Sequence, residues 1–452
     1  MCFSLVSRFV HCLVWVSLTI SFSTLTVGAS EGEVSGQTVT AQFRGGPAHT
    51  GVYATHAPAH LRLRWKFQAK EAIVASPTVA DGVVYIGSWD NFLYALDAET
   101  GRERWRFDAH GNVNSSCAVA GGKVFFVSLD GRIYAANTNT GKQLWSFSTQ
   151  GERRHTGAGM DYAAPTTEMM PDPWDFFLSS PCVEDETVYF GSGDGSIYAL
   201  DANTGREHWH FTTQGVVHAS PAVKDGVLYI GSFDSFFYAL DAKTGALKWK
   251  FKTGSDDHAH LMTGIPGSAA VANETVYFGS RDGYFYALDA ETGALRWKYA
   301  ADGSWVIASP AIWNGKVVFT TSDSLKLVVL DAATGAIQYT MPNKIYSFSS
   351  PAIVGDRAWF GTFDGKLHTV DLSRAQYTEE FTVPRDPKVV EEVLDANGKL
   401  NPAIWKGDTL DDVIVALRVK VFALGSILSS PVVASGTIYM SSVDGCVYAL
   451  GD

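Results

Sequence analysis

The chain has 452 residues, 46% hydrophobic and 13% aromatic, enough to bury a large core. Only 18% are charged, and the formal net charge is −12 at pH 7. That balance argues against nucleic acid or an anionic membrane surface as partner.

At the N-terminus, Arg8 and His11 precede the apolar run 13–20, and Val27-Gly28-Ala29 supplies the small residues of a cleavage site. This predicts a signal peptide over residues 1–29 and a mature chain outside the cytoplasm, periplasmic or secreted. Cys2 and Cys12 lie before or at the start of the apolar run, and no Cys follows until Cys117, so no lipid anchor is expected. No further transmembrane candidate follows. Residues 30–59 read as a leader and 60–452 as one domain.

Within that domain a unit of about forty residues recurs. Its clearest copies run from Ser76 to Phe107 and from Ser220 to Phe251. Each holds three short apolar runs split by turn signals, then a fourth run ending in Trp-x-Phe, which is the pattern of a four-stranded propeller blade. The turns are Asp-Gly at Asp81-Gly82 and Asp225-Gly226, Asp-Gly again at Asp194-Gly195, Asp282-Gly283 and Asp444-Gly445, and Asp-Ala-x-Thr-Gly at 97–101 and 289–293. Asp and Gly supply the backbone conformations tight hairpins need, so these residues are turn formers before they are ligands. The alternation of Val84, Ile86, Tyr94 and Leu96 with small or polar residues is a strand pattern.

Counting by the Ser that opens each copy gives Ser76, Ser116, Ser180, Ser220, Ser268, Ser309, Ser350 and Ser430. The last copy lacks its fourth strand, and Leu63 to Phe67 is a Trp-x-Phe strand without its first three. The expected fold is therefore all-β, an eight-bladed β-propeller closed by strands from both termini in one blade, which leaves no open edge. Trp105, Trp145, Trp209, Trp249 and Trp297, with Tyr339 and Tyr377 in blades six and seven, are expected to pack between blades. Cys117, Cys182 and Cys446 are an odd set, expected as buried free thiols, with a 117–182 bridge as the alternative.

Individuality lies in three insertions, 152–178, 255–266 and 383–427, each between the fourth strand of one blade and the first of the next. All three emerge on one face, the expected functional face. Arg153, Arg154 and His155 could hold an anion, or pair with Asp172 or Asp175. Trp174 and Trp305 could stack on a flat ligand or anchor a partner. His218 precedes Ser220 where the inner strand faces the funnel. Asp256, His258 and His260 are weak metal-ligand candidates beside the reading of a solvated loop. In the third insertion Asp386-Pro387 signals a helix start, and Leu410, Val413, Ile414, Leu417, Val421 and Leu424 fall at helical spacing, so a partly helical cap is expected.

Ser-Pro, Val-Tyr-x-Gly-Ser-x-Asp-Gly, Tyr-Ala-Leu-Asp-Ala-x-Thr-Gly and Trp-x-Phe together resemble the PQQ-like (quinoprotein-type) β-propeller repeat. Gln42 to Pro47 with Thr50-Gly51 resembles the leader before the first strand in that family. The resemblance covers residues 42–381 and 428–450. It implies one of several roles, since the family includes pyrroloquinoline-quinone dehydrogenases, the propeller subunit of the outer-membrane β-barrel assembly machinery, and sensor or scaffold domains. The dehydrogenases resemble one another in holding the quinone between a Trp and a disulfide of adjacent cysteines, beside calcium. This chain has no Cys-Cys pair, no matched calcium ligands or catalytic Asp, and no Cys-x-x-Cys-His. The expectation is a non-catalytic, monomeric ring binding a protein partner or small ligand, with no cofactor assigned. The rival is a PQQ- or metal-dependent oxidoreductase.

Overall fold

The computed structural model describes residues 41–158, 169–254, 263–404 and 418–452. The expected signal peptide, Asp256, His258, His260 and the helical positions from Leu410 to Leu417 lie outside them. Eight four-stranded antiparallel sheets form the blades of a propeller, and a two-stranded hairpin (Thr156–Ala158 with Met169–Pro171) belongs to the first insertion. Blade 1 comprises Thr78–Ala80, Val83–Gly87, Phe92–Asp97 and Glu103–Asp108. Blades 2 to 7 follow in order over 118–148, 182–212, 222–252, 270–300, 311–342 and 352–382. Blade 8 joins Val432–Ala434, Thr437–Ser441 and Cys446–Gly451 to Arg62–Gln68 from the other end of the chain. The eight blades and their closure are as the repeat predicts.

The second and third strands are buried on both sides, as in Val83–Gly87, because each blade is covered by a neighbour on either face. Alternation in exposure survives only on the outer strands, such as Glu103–Asp108. Tight first turns form where Asp and Gly both take positive φ, as at Asp81 (49°) and Gly82 (69°). In the second turn of six blades the Asp carboxylate accepts the backbone N–H two residues on and the Tyr hydroxyl four residues on, for example Asp194 from Ser196 at 2.8 Å and Tyr198 at 2.7 Å. Those aspartates are occupied by the fold.

Neighbouring blades are joined by a repeated dock. The indole N–H of Trp65, Trp105, Trp145, Trp209, Trp249 and Trp297 donates to a carbonyl of the next blade at 2.8–3.1 Å. The ring lies over the Gly that ends the next blade's third turn. A Cβ at Gly101, Gly141, Gly205, Gly245, Gly293 or Gly335 would stand 2.5–2.7 Å from it, so only Gly permits the approach. Tyr339 takes the same place, its hydroxyl donating to Leu372 O at 2.5 Å. Tyr377 does not. Register puts Glu379 opposite Thr369, where Trp297 stands opposite Ala287, and Tyr377 two residues earlier. The expectation for Tyr377 is corrected: in blade 7 the residue in register at the Trp position is Glu379, and the aromatic residue lies two positions earlier. Glu379 faces the closing blade, where the chain ends replace the third turn, and accepts Leu61 N–H at 3.0 Å.

A second ring runs on the axis. The backbone N–H of seven of the eight repeat-opening serines donates to the hydroxyl of the serine in the next blade, in links of 2.8–3.2 Å that include Ser430 to Ser76. Below it the leader winds around the axis. Ala41 O, Gln42 Oε1, Pro47 O, Ala48 O, Thr50 O and Gly51 O accept, in turn, one N–H from the first strand of blades 2 to 7. These inner edges would otherwise be unpaired. Cys117, Cys182 and Cys446 are free and buried, and burial pushes all three thiols up. No described helix is long and apolar enough to cross a membrane.

Deleting residues 60–68 removes the outer strand of blade 8, the Trp65 dock and the Leu61 contact with Glu379 together. Aggregation, or a fall of many degrees in melting temperature, is the expected result by light scattering and calorimetry. A monomer that melts unchanged would contradict the closed ring.

Candidate functional site

The face carrying the insertions, here the upper face, is built from the second turn of each blade. These turns share a frame of Ser or Thr, a variable residue, then Asp. The variable residue is Trp89, Leu129, Gly193, Phe233, Arg281, Ser322, Phe363 and Val443 in blades 1 to 8. The first insertion folds over this rim. Gly193 makes the space, since a side chain there would collide with Glu152 and the Arg153 backbone.

Two buried charge groups pin the insertion. His218 Nε2 meets Glu152 Oε1 at 2.7 Å and His218 Nδ1 meets Asp175 Oδ1 at 2.6 Å, with all three side chains at most 3% exposed. Glu152 also accepts Gly193 N–H at 2.7 Å, and Asp175 accepts His155 N–H at 2.5 Å. Asp172 pairs with Arg281, both fully buried, and accepts Trp174 N–H at 2.8 Å. The Arg281 guanidinium lies 4.4 Å from the Trp305 ring centre and 5.2 Å from Phe233. Burial would drive the proton off His218, but Asp175 and Glu152 outweigh it and raise its pKa to about 10. Burial likewise works against the Asp175 carboxylate, yet His218 and its other donors hold it below its usual range. His155 is lowered, by burial first and then by Arg281.

Apolar contacts complete the lid. Phe176, Trp174 and Phe177 of the first insertion join Phe348, Phe363 and Leu428 of the rim, and Val393, Leu394, Ile404, Val421, Leu424 and Phe422 of the third insertion, in one cluster. That insertion begins with the helix Pro387–Val393, capped by Asp386 whose carboxylate accepts Lys388 N–H, as the Asp-Pro signal predicts. Arg418 donates to Pro173 O at 3.2 Å, tying the two insertions together.

The candidates are thus divided. His218 lies in the lid's charged core. Trp305 is 8% exposed beneath Arg281, and Trp174 packs edge-on against Phe348 and Phe363. Arg153 and Arg154 are exposed, with Arg153 donating to Asp194 O at 3.1 Å, and the half-buried His155 ring stacks on Phe233 at 4.5 Å. Together they line a groove of about 810 Å³ over blades 3 and 4. Arg281 and Glu152 escaped the sequence reading. Arg281 had a signal: it is the one charged residue at the variable turn position.

The ring belongs to one known lineage. A sequence profile described as outer membrane protein assembly factor BamB matches residues 51–164, 166–266 and 257–409. The chain belongs to that family. BamB from Moraxella catarrhalis superposes with a TM-score of 0.64 at 16% identity, over 87% of this chain and 100% of that one. A europium-containing methanol dehydrogenase gives 0.66 at 16%, over 90% and 96%. The computationally designed Ika8 protein gives 0.62 at 16%, over 87% and 100%. No protein of curated function matches the sequence. An assembly factor, an enzyme and a designed protein fit this chain almost equally, so the likeness is one of fold.

A quinone does not fit the axial chamber. The funnel mouth is filled by Trp174, Phe176 and Phe177, and the chamber beneath measures about 60 Å³, against the few hundred Å³ of a pocket for a fused-ring ligand.

The charged core gives the lid a pH dependence. His218 binds its proton more tightly in the folded chain than at its unfolded value near 6.5, so its stabilisation is complete below about pH 6.5 and lost as pH rises toward about 10. Asp175 is shifted the other way, so its share is present above about pH 3.9 and lost in acid. Amide exchange in residues 153–158 and 169–178, corrected for intrinsic rates, is expected to accelerate from about pH 7 to pH 10, and His218→Gln should abolish that slope. A flat wild-type profile would show that no proton on His218 holds the lid.

Proposed function

We propose that this protein is an extracytoplasmic, non-catalytic scaffold whose upper face binds a protein partner. The observation that carries this reading is the lid: the funnel mouth is occupied by the chain's own aromatic side chains, and the charged groups beneath them are spent on one another. Among the described residues the upper face leaves open a groove over blades 3 and 4, with two exposed arginines beside the His155–Phe233 stack. Arginine beside aromatic surface is the composition of binding hot spots, and it favours a partner segment bearing carboxylates. The family's description as an assembly factor supports a binding role. The N-terminal signal-peptide pattern supports an extracytoplasmic one, and three buried thiols are shielded from oxidation there.

Two arms test the reading. Purified protein is incubated with pyrroloquinoline quinone and either calcium or europium, then gel-filtered. No quinone absorbance should travel with the protein, and stoichiometric retention would favour the oxidoreductase. In the second arm a photo-cross-linking residue is placed at position 153 or, as control, at 243 on the opposite face. Cross-links to a defined partner are expected from position 153 alone. Arg153→Glu with Arg154→Glu should weaken that partner by about tenfold or more, with the melting temperature within a few degrees of wild type.

A further inference from the structure

Between the leader and the lid the propeller axis holds a chamber of about 60 Å³, walled by the eight axial serines with Phe43, Phe177, His218 and Asn114 among its other residues. It has room for about four water-sized particles. Each of the eight serines is at most 7% exposed. Seven of the hydroxyl oxygens accept an N–H from the adjoining blade. Among the described residues none of the eight gives its own proton to a protein acceptor, and no two hydroxyls bond each other. Eight buried O–H donors therefore surround the chamber. The other groups there do not satisfy them. His218 spends both ring nitrogens on Glu152 and Asp175, and Asn114 Oδ1 is a single orphan acceptor.

In the leader, next in sequence to Phe43 of the chamber wall, lies a buried cation without a counter-charge among the described residues. Arg44 is 1% exposed. Its Nη1 donates to Pro351 O at 2.6 Å and its Nη2 to Pro310 O at 2.9 Å, while Nε has no partner. No carboxylate reaches it among the described residues. Burial lowers its pKa only to about 10, so it is charged at neutral pH. The prolines it touches directly follow the axial Ser309 and Ser350, and its neighbour Phe43 is part of the chamber wall. A buried guanidinium bonded only to carbonyl oxygens is stabilised by its dipoles but not neutralised.

We propose that the axial chamber binds a small monovalent inorganic anion of the halide class, taken by the serine hydroxyls as donors and balancing the charge of Arg44. The ion is hydrated on one side, with Asn114 Oδ1 accepting from a bound water. A divalent oxyanion would fill the chamber and leave one negative charge unmatched. Because the chamber lies beneath the lid, its occupancy does not depend on what the upper face binds.

Crystals of the full chain transferred to bromide supply the test that needs no variant. An anomalous peak on the axis, within hydrogen-bond distance of the serine hydroxyls, is expected. In solution, exchanging gluconate for chloride at constant ionic strength should raise the melting temperature by a few degrees, saturably, as for any ligand of the folded state. Ser180→Ala with Ser220→Ala, remote from the two prolines that hold Arg44, should remove most of that chloride dependence. An axis free of bromide, or a melting temperature indifferent to halide, would overturn the proposal. So would a double variant that folds and keeps the full chloride response.

Discussion

The dock between blades, an aromatic donor laid over a glycine of the next blade, is the constraint on which the rest of the structure depends. It fixes how far one sheet stands from the next, and so how many sheets complete a circle. Six of the eight docks are Trp on carbonyl and one is Tyr on carbonyl. The eighth reverses polarity, with the Glu379 carboxylate accepting from Leu61 N–H. The reversal has a physical cause. Blade 8 has no third turn, because its third and fourth strands are far apart in the sequence, so neither a turn glycine nor its carbonyl awaits a tryptophan. Free N–H groups await instead. Glu379 takes one of them, and the Asp452 carboxylate takes Ala59 and His60 N–H at 3.0 Å each.

What could be read from the sequence was what repetition encodes. Blade number, strand order, ring closure and the turn glycines all follow from a pattern seen several times over, in which each copy checks the others. The misplacement of Tyr377 shows the limit of that method. In blade 7 the Trp position holds an acid, so an aromatic two residues away looked like the substitute until strand register was known. The funnel mouth was less legible for a related reason. Its lining comes one residue from each blade, forty residues apart, and its meaning appears only when the ring brings those positions together. Arg281 is the clearest case. In sequence it interrupts a run of apolar residues at one turn position, and in space it is the anchor of Asp172, 109 residues away. A partly helical cap on this face was legible, but its packing was not, since it joins insertions over 200 residues apart and neither copies anything else in the chain.

The lid also settles how charge is managed at the centre of an acidic protein. Apolar packing alone would seal the mouth, yet the insertion carries three carboxylates inward, at Glu152, Asp172 and Asp175. Against them stand only two cations, His218 and Arg281, so the buried group carries a net negative charge and remains stable because each carboxylate accepts a backbone N–H as well as its ionic partner. Buried ion pairs of this kind rarely add net stability over apolar packing, because desolvation cancels much of the attraction. Their effect is on position. An insertion held by aromatic contacts alone could slide over the rim, whereas Gly193 N–H, His218 and Arg281 each accept one geometry. The apolar cluster closes the funnel, and the charged groups determine which way it closes. At the opposite end of the axis the imbalance is inverted, with Arg44 buried among carbonyls alone, so the two ends of the propeller place opposite net charges on either side of the serine ring.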